Sequence, residues 1–248
     1  MKDILMLDCD GTSIYSSNHL MSDLTYDILT RAQEKFYIVF NTGRNLKQFF
    51  EVIGKDQIVG DYVIALNGKT LYDLKNNKYI HEPSEEFTLK EMQNIIKIAK
   101  NYTDVSSHFF EKTDYYNNPT HYYKGVVKYI ARSKNQEQIQ NLFEQIKDNF
   151  NGYFCELARV GGKAGKWIEL WKSPSNKKDL VPLVLKQIPN HGKLYYFGDS
   201  DNDLEVIKLA DIKVVPQNAI AELKQLADIV LQQTCDQDAV AKYIQTLI

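Results

Sequence analysis

The sequence predicts an α/β protein with a parallel-sheet core, interrupted in the chain by an inserted α+β block. Three observations carry that prediction. Short apolar runs alternate with helical apolar spacing over the first 80 residues, and the same alternation returns near the other end. Between them the pattern changes to longer, aromatic-rich, strand-like segments around two amphipathic helices. The implied division is a core of residues 1–83 and 172–248, with residues 84–171 inserted.

Taken in order, residues 4–7 (Ile-Leu-Met-Leu) read as a strand, and Leu24, Ile28, Leu29 and Ala32 recur at helical spacing. Residues 36–40 form a second strand. Leu46, Phe49, Phe50 and Ile53 mark a second helical face, and residues 62–66 a third strand. Strand, helix, strand, helix, strand implies parallel pairing through right-handed crossovers. In the inserted block, Leu89, Met92, Ile95, Ile96 and Ala99 line one helix, and Ile139, Leu142, Phe143 and Ile146 line another. Strands are expected over 105–111, 122–132, 153–160 and 166–172, the last two joined as a hairpin around Gly161-Gly162-Lys163-Ala164-Gly165. The core grammar then resumes with a helix over 178–187, a strand over 193–197 and a helix over 202–209. Short strands near 212–215 and 228–231 and a last helix over 238–247 close the chain.

The bulk composition narrows the class. The 248 residues carry 30 basic and 32 acidic side chains, a net charge of −2, so nothing marks a nucleic-acid or membrane surface. Cys9, Cys155 and Cys235 lie far apart without a C-x-x-C pair, which argues against a zinc site or a disulfide framework. The apolar run before Asp8 is too short for a signal peptide, and no run approaches a membrane span, so a cytoplasmic protein is expected.

Four stretches place polar residues at the C-terminal ends of expected parallel strands, where open α/β sheets bind ligands. They are Leu-Asp-Cys-Asp-Gly-Thr at 7–12, Phe-Asn-Thr-Gly-Arg at 40–44, Ser-Asn-Lys-Lys-Asp-Leu-Val at 175–181 and Phe-Gly-Asp-Ser-Asp-Asn-Asp at 197–203. Each alone is compatible with a solvated turn or a helix cap. Together they supply the parts of phosphoryl transfer: a carboxylate nucleophile, acids able to share a hard divalent cation, and a hydroxyl, backbone N–H groups and a lysine for the phosphoryl oxygens. In an extended segment residues i and i+2 share a side, so Asp8 and Asp10 point one way and Cys9 the other. Asp8, at the rigid strand end, suits the nucleophile. Asp10, on the turn, suits the acid/base that serves the leaving oxygen and then water.

These four stretches resemble the four motifs of the haloacid-dehalogenase-like superfamily of phosphatases. The layout resembles its Cof-type sugar-phosphatase branch, with a large type II cap inserted between motifs two and three. Motif one is matched by Asp8 and Asp10, motif two by Thr42 in N-T-G-R, motif three by a lysine in S-N-K-K-D, and motif four by G-D-S-D-N-D. The downstream run 209–231 resembles the same branch. The resemblance implies a Rossmann-like core with an α+β cap that sets specificity. It implies Mg2+ as cofactor and a small phosphorylated metabolite, a sugar phosphate, as substrate, hydrolysed through an aspartyl phosphate. Asp8 would attack and bind the metal, Asp10 would add its backbone carbonyl, and Asp199 would be the third protein ligand. Thr42, with Gly43 and Arg44, and Lys177 would hold the phosphate. Asn202 would complete the site, and Asp203 would act through water on the metal or pair with the lysine. Asn67-Gly68 resembles a further ligand-facing loop. K-K in place of the usual K-G leaves Lys177 and Lys178 as alternatives, with the N-K-x-D register favouring Lys177. Ser13, where the family commonly has Leu, is expected to lie outside the chemistry.

Other features invite and resist functional readings. G-G-K-A-G-K at 161–166 lacks the spacing and the Ser or Thr of a phosphate loop and reads as a hairpin tip, although Arg159, Lys163 or Lys166 could reach a substrate from it. Phe109, Phe110, Tyr115, Tyr116, Tyr122 and Tyr123 read as packing before sugar stacking. The five histidines share no metal-ligand spacing. A phosphomutase using the same intermediate is an alternative. A receiver-type signalling domain is disfavoured by the chain's length and its inserted block.

Overall fold

The computed structural model describes residues 1–53, 59–111, 115–117, 125–160 and 163–248. Tyr122, Tyr123, His121 and the hairpin tip at 161–162 lie outside the described residues, as do the side chains of Tyr115, Tyr116, Arg159 and Lys163.

The apolar runs become strands because each is buried on both faces, as a central parallel strand requires. Along β1 (Lys2–Leu7), Leu5 and Leu7 enter one apolar cluster while Ile4 and Met6 enter another. In β2 (Phe36–Asn41), Ile38 and Phe40 join the first cluster and Val39 the second. α1 (Asp23–Ala32) connects these strands, with the Ser22 hydroxyl capping its start by accepting from the Thr25 N–H at 3.0 Å. α2 (Leu46–Ile53) leads to β3 (Tyr62–Ala65).

Two strands that the period-2 pattern did not reveal follow: β4 (Thr70–Asp73) and β5 (Lys78–His81), which extend the sheet antiparallel. Each has four residues, and the turn between them holds Asn77 at φ +52 with the Asp73 carboxylate accepting from the Asn76 N–H at 2.9 Å.

The inserted block folds as its own compact unit, Pro83–Ser175, separate from the unit formed by Met1–Glu82 with Asn176–Ile248. Its elements are α3 (Leu89–Ala99), β6 (Ser106–Glu111), β7 (Tyr115–Asn117), β8 (Val126–Arg132), α4 (Gln136–Asn149), β9 (Phe154–Val160) and β10 (Lys163–Trp171). The five strands form an antiparallel sheet in the order β7-β6-β8-β10-β9. Met92, Ile95, Ile139, Leu142 and Ile146 of the helices meet Phe109, Tyr129, Ile168 and Leu170 of the sheet in one core. Phe109 is thus packing, and Phe110 lies with the Lys128 ammonium 5.9 Å from its ring centroid.

On re-entry, α5 spans Val181–Gln187, three residues later than the spacing suggested, because Pro182 sits in its first turn and residues 177–180 form a turn. β11 (His191–Phe197) pairs parallel with β1. The helix expected over 202–209 is instead two 3-10 turns, Asp201–Asp203 and Ile207–Leu209. The Asp203 carboxylate accepts from the N–H groups of Asp199 and Ser200 and tightens the first of them. β12 (Ile212–Val215), α6 (Ala221–Leu226), which the spacing missed, β13 (Ile229–Val230), a 3-10 turn at Cys235–Gln237 and α7 (Ala239–Gln245) finish the chain.

The eight-stranded sheet runs β13-β12-β11-β1-β2-β3-β4-β5, parallel from β13 to β3. The chain leaves β1 toward β2 on one side and returns through β11 on the other. That reversal opens a crevice at the C-terminal ends of these three strands. Among the described residues, no helix is long and apolar enough to cross a membrane.

Candidate active site

Asp8 directly follows β1 and keeps the sheet's register, its N–H donating to the Phe197 carbonyl at 2.8 Å. The chain then turns sharply, with the Cys9 carbonyl accepting from the N–H groups of Thr12, Ser13 and Ile14 at 3.2, 3.0 and 2.8 Å. Gly11 makes the turn possible. At its φ of +81 a Cβ would fall 2.3 Å from Asp199 Oδ2, so only glycine lets the turn lie against that carboxylate. Cys9 packs into the apolar cluster on the opposite side, and burial pushes its thiol up, away from the reactive thiolate.

Ser13 belongs to the site after all. Its hydroxyl donates to the Asp8 carbonyl at 2.6 Å, and the Thr12 hydroxyl lies 3.3 Å from both Asp8 Oδ2 and Asp199 Oδ1. A small hydroxyl can make that bond, whereas an apolar side chain such as Leu cannot.

Lys177 comes from the turn before α5 and is fully buried, its ammonium donating to Asp8 Oδ1 at 2.5 Å and Asp203 Oδ1 at 2.8 Å. Lys178 turns outward to Glu205 at 3.2 Å. The Asn41 amide donates to the Lys177 carbonyl at 3.0 Å and ties this turn to the end of β2. Asp8, Asp199 and Asp203 each offer an oxygen within 4.8 Å of the others.

Asp10 is not in that cluster. Its half-exposed carboxylate is gripped by Arg44, which donates from Nε to Oδ2 at 2.7 Å and from an Nη to Oδ1 at 2.5 Å. His19, which sequence spacing did not single out, approaches the same carboxylate at 3.4 Å. Burial alone would raise the Asp10 carboxyl, but the Arg44 fork holds it below its ordinary range. Thr42 is buried at the end of β2, its hydroxyl accepting from the Arg44 N–H at 3.1 Å.

Gly43 lies against Asn67, whose Oδ1 accepts from Asn202 Nδ2 at 3.1 Å, so Gly43, Asn67 and Asn202 converge. Next to them, Gly68 has φ +93, and a Cβ there would fall 2.0 Å from the Asn176 carbonyl. Gly68→Ala is therefore expected to push the Asn176-Lys177 backbone and lower stability by about 1–3 kcal/mol. A urea melt, with activity measured in parallel, checks it.

The charge balance decides what else the cluster can hold. Burial raises the Asp8 carboxyl to about 7 against the pull of Lys177, and burial with the charges of Asp8 and Asp203 raises Asp199 well above its ordinary value. Burial alone would lower the Lys177 ammonium, but Asp203 and Asp8 raise it and keep it charged. Among the described residues, Lys177 bonds two of these three buried carboxylates, which leaves negative charge on hard oxygen donors, and a divalent cation fits that set. Without it, the native state holds a proton on Asp8 between about pH 4 and 7 that the unfolded chain has released. Stability in chelator is thus expected to fall as pH rises through that window, by up to roughly 1.4 kcal/mol per pH unit for that proton. Adding divalent cation at pH 8 should raise the melting temperature, and less so in Asp199→Asn. A pH-independent melt in chelator would contradict this.

Comparison with known proteins adds the family. A model of the haloacid dehalogenase-like hydrolases matches residues 5–128 and 104–244. The chain belongs to that family. A haloacid dehalogenase-like hydrolase from Bacteroides thetaiotaomicron shares its fold with a TM-score of 0.81 at 18% identity, over 100% of both chains. A sugar phosphatase of haloacid dehalogenase subclass IIB does so with a TM-score of 0.72 at 18% identity, over 99% of both. In sequence, the 5-amino-6-(5-phospho-D-ribitylamino)uracil phosphatase of Bacillus subtilis is 21% identical over 274 residues, covering 98% of this chain and 96% of its own. As a haloacid dehalogenase-like hydrolase, the chain is an enzyme whose α/β core and inserted α+β unit match its structural relatives over their full length.

Proposed function

We propose that this hydrolase is a Mg2+-dependent phosphatase of small phosphate monoesters, with sugar phosphates as the substrate class. The reading is carried by one arrangement: the Asp8 carboxylate, buried at a strand end, paired to Lys177 at 2.5 Å and gathered with Asp199 and Asp203. The relatives named as sugar and ribityl-phosphate phosphatases support the substrate class.

Asp8 attacks phosphorus, forming an Oδ–P bond as the bond from phosphorus to the leaving oxygen breaks. Asp10 gives that oxygen a proton. Water then attacks the phosphorus of the aspartyl phosphate, Asp10 takes the water's proton, and Asp8 is restored as inorganic phosphate leaves. Asp10 is ionised while Arg44 grips it, so the donor form requires that grip to relax. Lys177, Thr42 and the N–H groups of the turn hold the phosphoryl oxygens where transition-state charge concentrates. Asp8 and Asp199, with the Asp10 carbonyl, would hold the metal, and Asp203 would orient Lys177. Bound there, Mg2+ supplies positive charge that offsets both the acids and the phosphoryl oxygens. Arg44, Gly43, Asn67 and Asn202 contribute to substrate binding. The inserted unit, Pro83–Ser175, acts as the specificity cap. All three cysteines are free thiols, and a reducing cytoplasm is the compartment this reading expects.

The test is phosphate release from p-nitrophenyl phosphate and from a panel of phosphorylated sugars, with and without Mg2+. Mg2+-dependent release on at least one ester is expected. Transfer between sugar positions without net release would instead make the enzyme a mutase. No turnover, with a phosphoryl group persisting on Asp8, would make it a receiver.

A further inference from the structure

Next to the site stands a buried titratable side chain that the mechanism above leaves unused. Tyr196 lies in β11, two residues before Gly198-Asp199, with its ring fully buried in the apolar cluster that holds Ile4, Met6 and Val206. Phenylalanine would satisfy that packing, and a buried hydroxyl is costly unless it is hydrogen-bonded. The Tyr196 hydroxyl donates to Asp203 Oδ1 at 2.6 Å. The same oxygen accepts from the Lys177 ammonium, which also donates to Asp8 Oδ1.

We propose that Tyr196 is a positioning residue: acting through Asp203, its hydroxyl fixes the Lys177 ammonium against Asp8. The proposal rests on the phosphatase reading, in which Asp8 receives the phosphoryl group and Lys177 holds its oxygens.

Asp203 is the hub of this arrangement. A carboxylate offers about four acceptor positions, and Asp203 meets four donors. Tyr196 and Lys177 donate to Oδ1, and the Asp199 and Ser200 N–H groups donate to Oδ2 at 2.9 and 3.0 Å. The two N–H bonds fix Oδ2 to the turn. The rotation that remains would move Oδ1, and the Tyr196 hydroxyl opposes it. A tyrosine is suited to this because its ring has only two side-chain torsions and is anchored in a central strand. A lysine is the opposite case, a compact charge on a flexible stem whose tip goes where its acceptors lie. Without the hydroxyl, the ammonium alone would satisfy Oδ1 and would lean toward Asp203, away from Asp8. Such a shift weakens contacts made as charge develops on the phosphoryl oxygens and leaves substrate docking largely intact.

Tyr196→Phe tests this, because it removes the hydroxyl and keeps the ring. On the best phosphate ester found, kcat is expected to fall about 10-fold with KM changed less than about 2-fold. The inhibition constant for vanadate, which mimics five-coordinate phosphorus, should rise by about the same factor as kcat falls, and the constant for inorganic phosphate by less. In an Asp203→Asn background, adding Tyr196→Phe should change kcat less than about 2-fold, because the path runs through Asp203. An active parent whose Tyr196→Phe variant keeps kcat and vanadate inhibition within about 2-fold overturns the proposal and leaves the phosphatase reading standing. So does an effect that multiplies in full on Asp203→Asn, or a variant that simply melts far below the parent, which would show the hydroxyl serving the fold. A parent that hydrolyses no ester, and is not stabilised by vanadate with Mg2+, overturns the phosphatase reading and this inference with it.

Discussion

Asp8→Asn is expected to lower kcat by at least about 10⁴-fold while leaving the protein folded, because a carboxamide cannot form the acyl phosphate. The variant is close to isosteric, and its side-chain oxygen can still accept from Lys177. It also removes one of three clustered negative charges. In chelator at pH 8 its melting temperature should therefore match or exceed that of the parent, although Asp8 is buried and hydrogen-bonded. Loss of activity with gain of stability is what a site strained by function predicts, and a purely structural Asp8 would give the reverse. Circular dichroism melts beside steady-state kinetics decide between them.

The second large effect is on stability. Lys177→Met keeps a long apolar stem but deletes an ammonium that pairs with Asp8 and Asp203, each buried and within 2.8 Å of it. Removing one partner from a buried ion pair costs about 3–5 kcal/mol, because the other charge stays behind unpaired. The sign with pH follows. Asp8, whose carboxyl burial raises and Lys177 lowers, regains neutrality in the variant by binding a proton that the unfolded chain does not hold above about pH 4, so the variant's deficit should shrink on acidification. Urea titrations at pH 5 and pH 8 measure this. The variant's kcat should also fall, by roughly 10²–10³-fold, with the loss of charge at the phosphoryl oxygens. Equal deficits at both pH values would mean that Lys177 is not the charge balancing this cluster.

Much of this site is legible in the chain because parallel strands are apolar on both faces, so polar residues that close such runs stand out. Asp8 after Ile-Leu-Met-Leu, Thr42 after Tyr-Ile-Val-Phe-Asn, and Asp199 after Tyr-Tyr-Phe-Gly lie on neighbouring strand ends for that reason. What failed to show depends on side-chain direction or on competition for backbone groups. The N-K-x-D register favours Lys177 without excluding Lys178, and the turn before α5 is what buries Lys177 and leaves Lys178 half-exposed. Residues 202–209 carry helical apolar spacing, yet they form two 3-10 pieces, the first capped by Asp203 through the Asp199 and Ser200 N–H groups. β4 and β5 are too short for periodicity to register. Ser13 reads as an off-pattern residue outside the chemistry, and Tyr196 only as part of the strand over 193–197. Their hydroxyls matter through single hydrogen bonds, to the Asp8 carbonyl and to Asp203, that no spacing encodes. Asn218 was equally silent, although its amide donates to the Gly11 carbonyl at 2.7 Å and its oxygen accepts from the Cys235 N–H at 2.8 Å.

If Asp8 is the nucleophile, it carries the phosphoryl group during turnover. During turnover of a phosphate ester with Mg2+, the reaction can be quenched in acid, reduced with borohydride and digested for peptide mass spectrometry. An acyl phosphate at Asp8 is reduced to homoserine at that position, and that product is expected in the parent and not in Asp8→Asn. Turnover with an unmodified Asp8, or with the reduced residue at another carboxylate, would contradict that assignment.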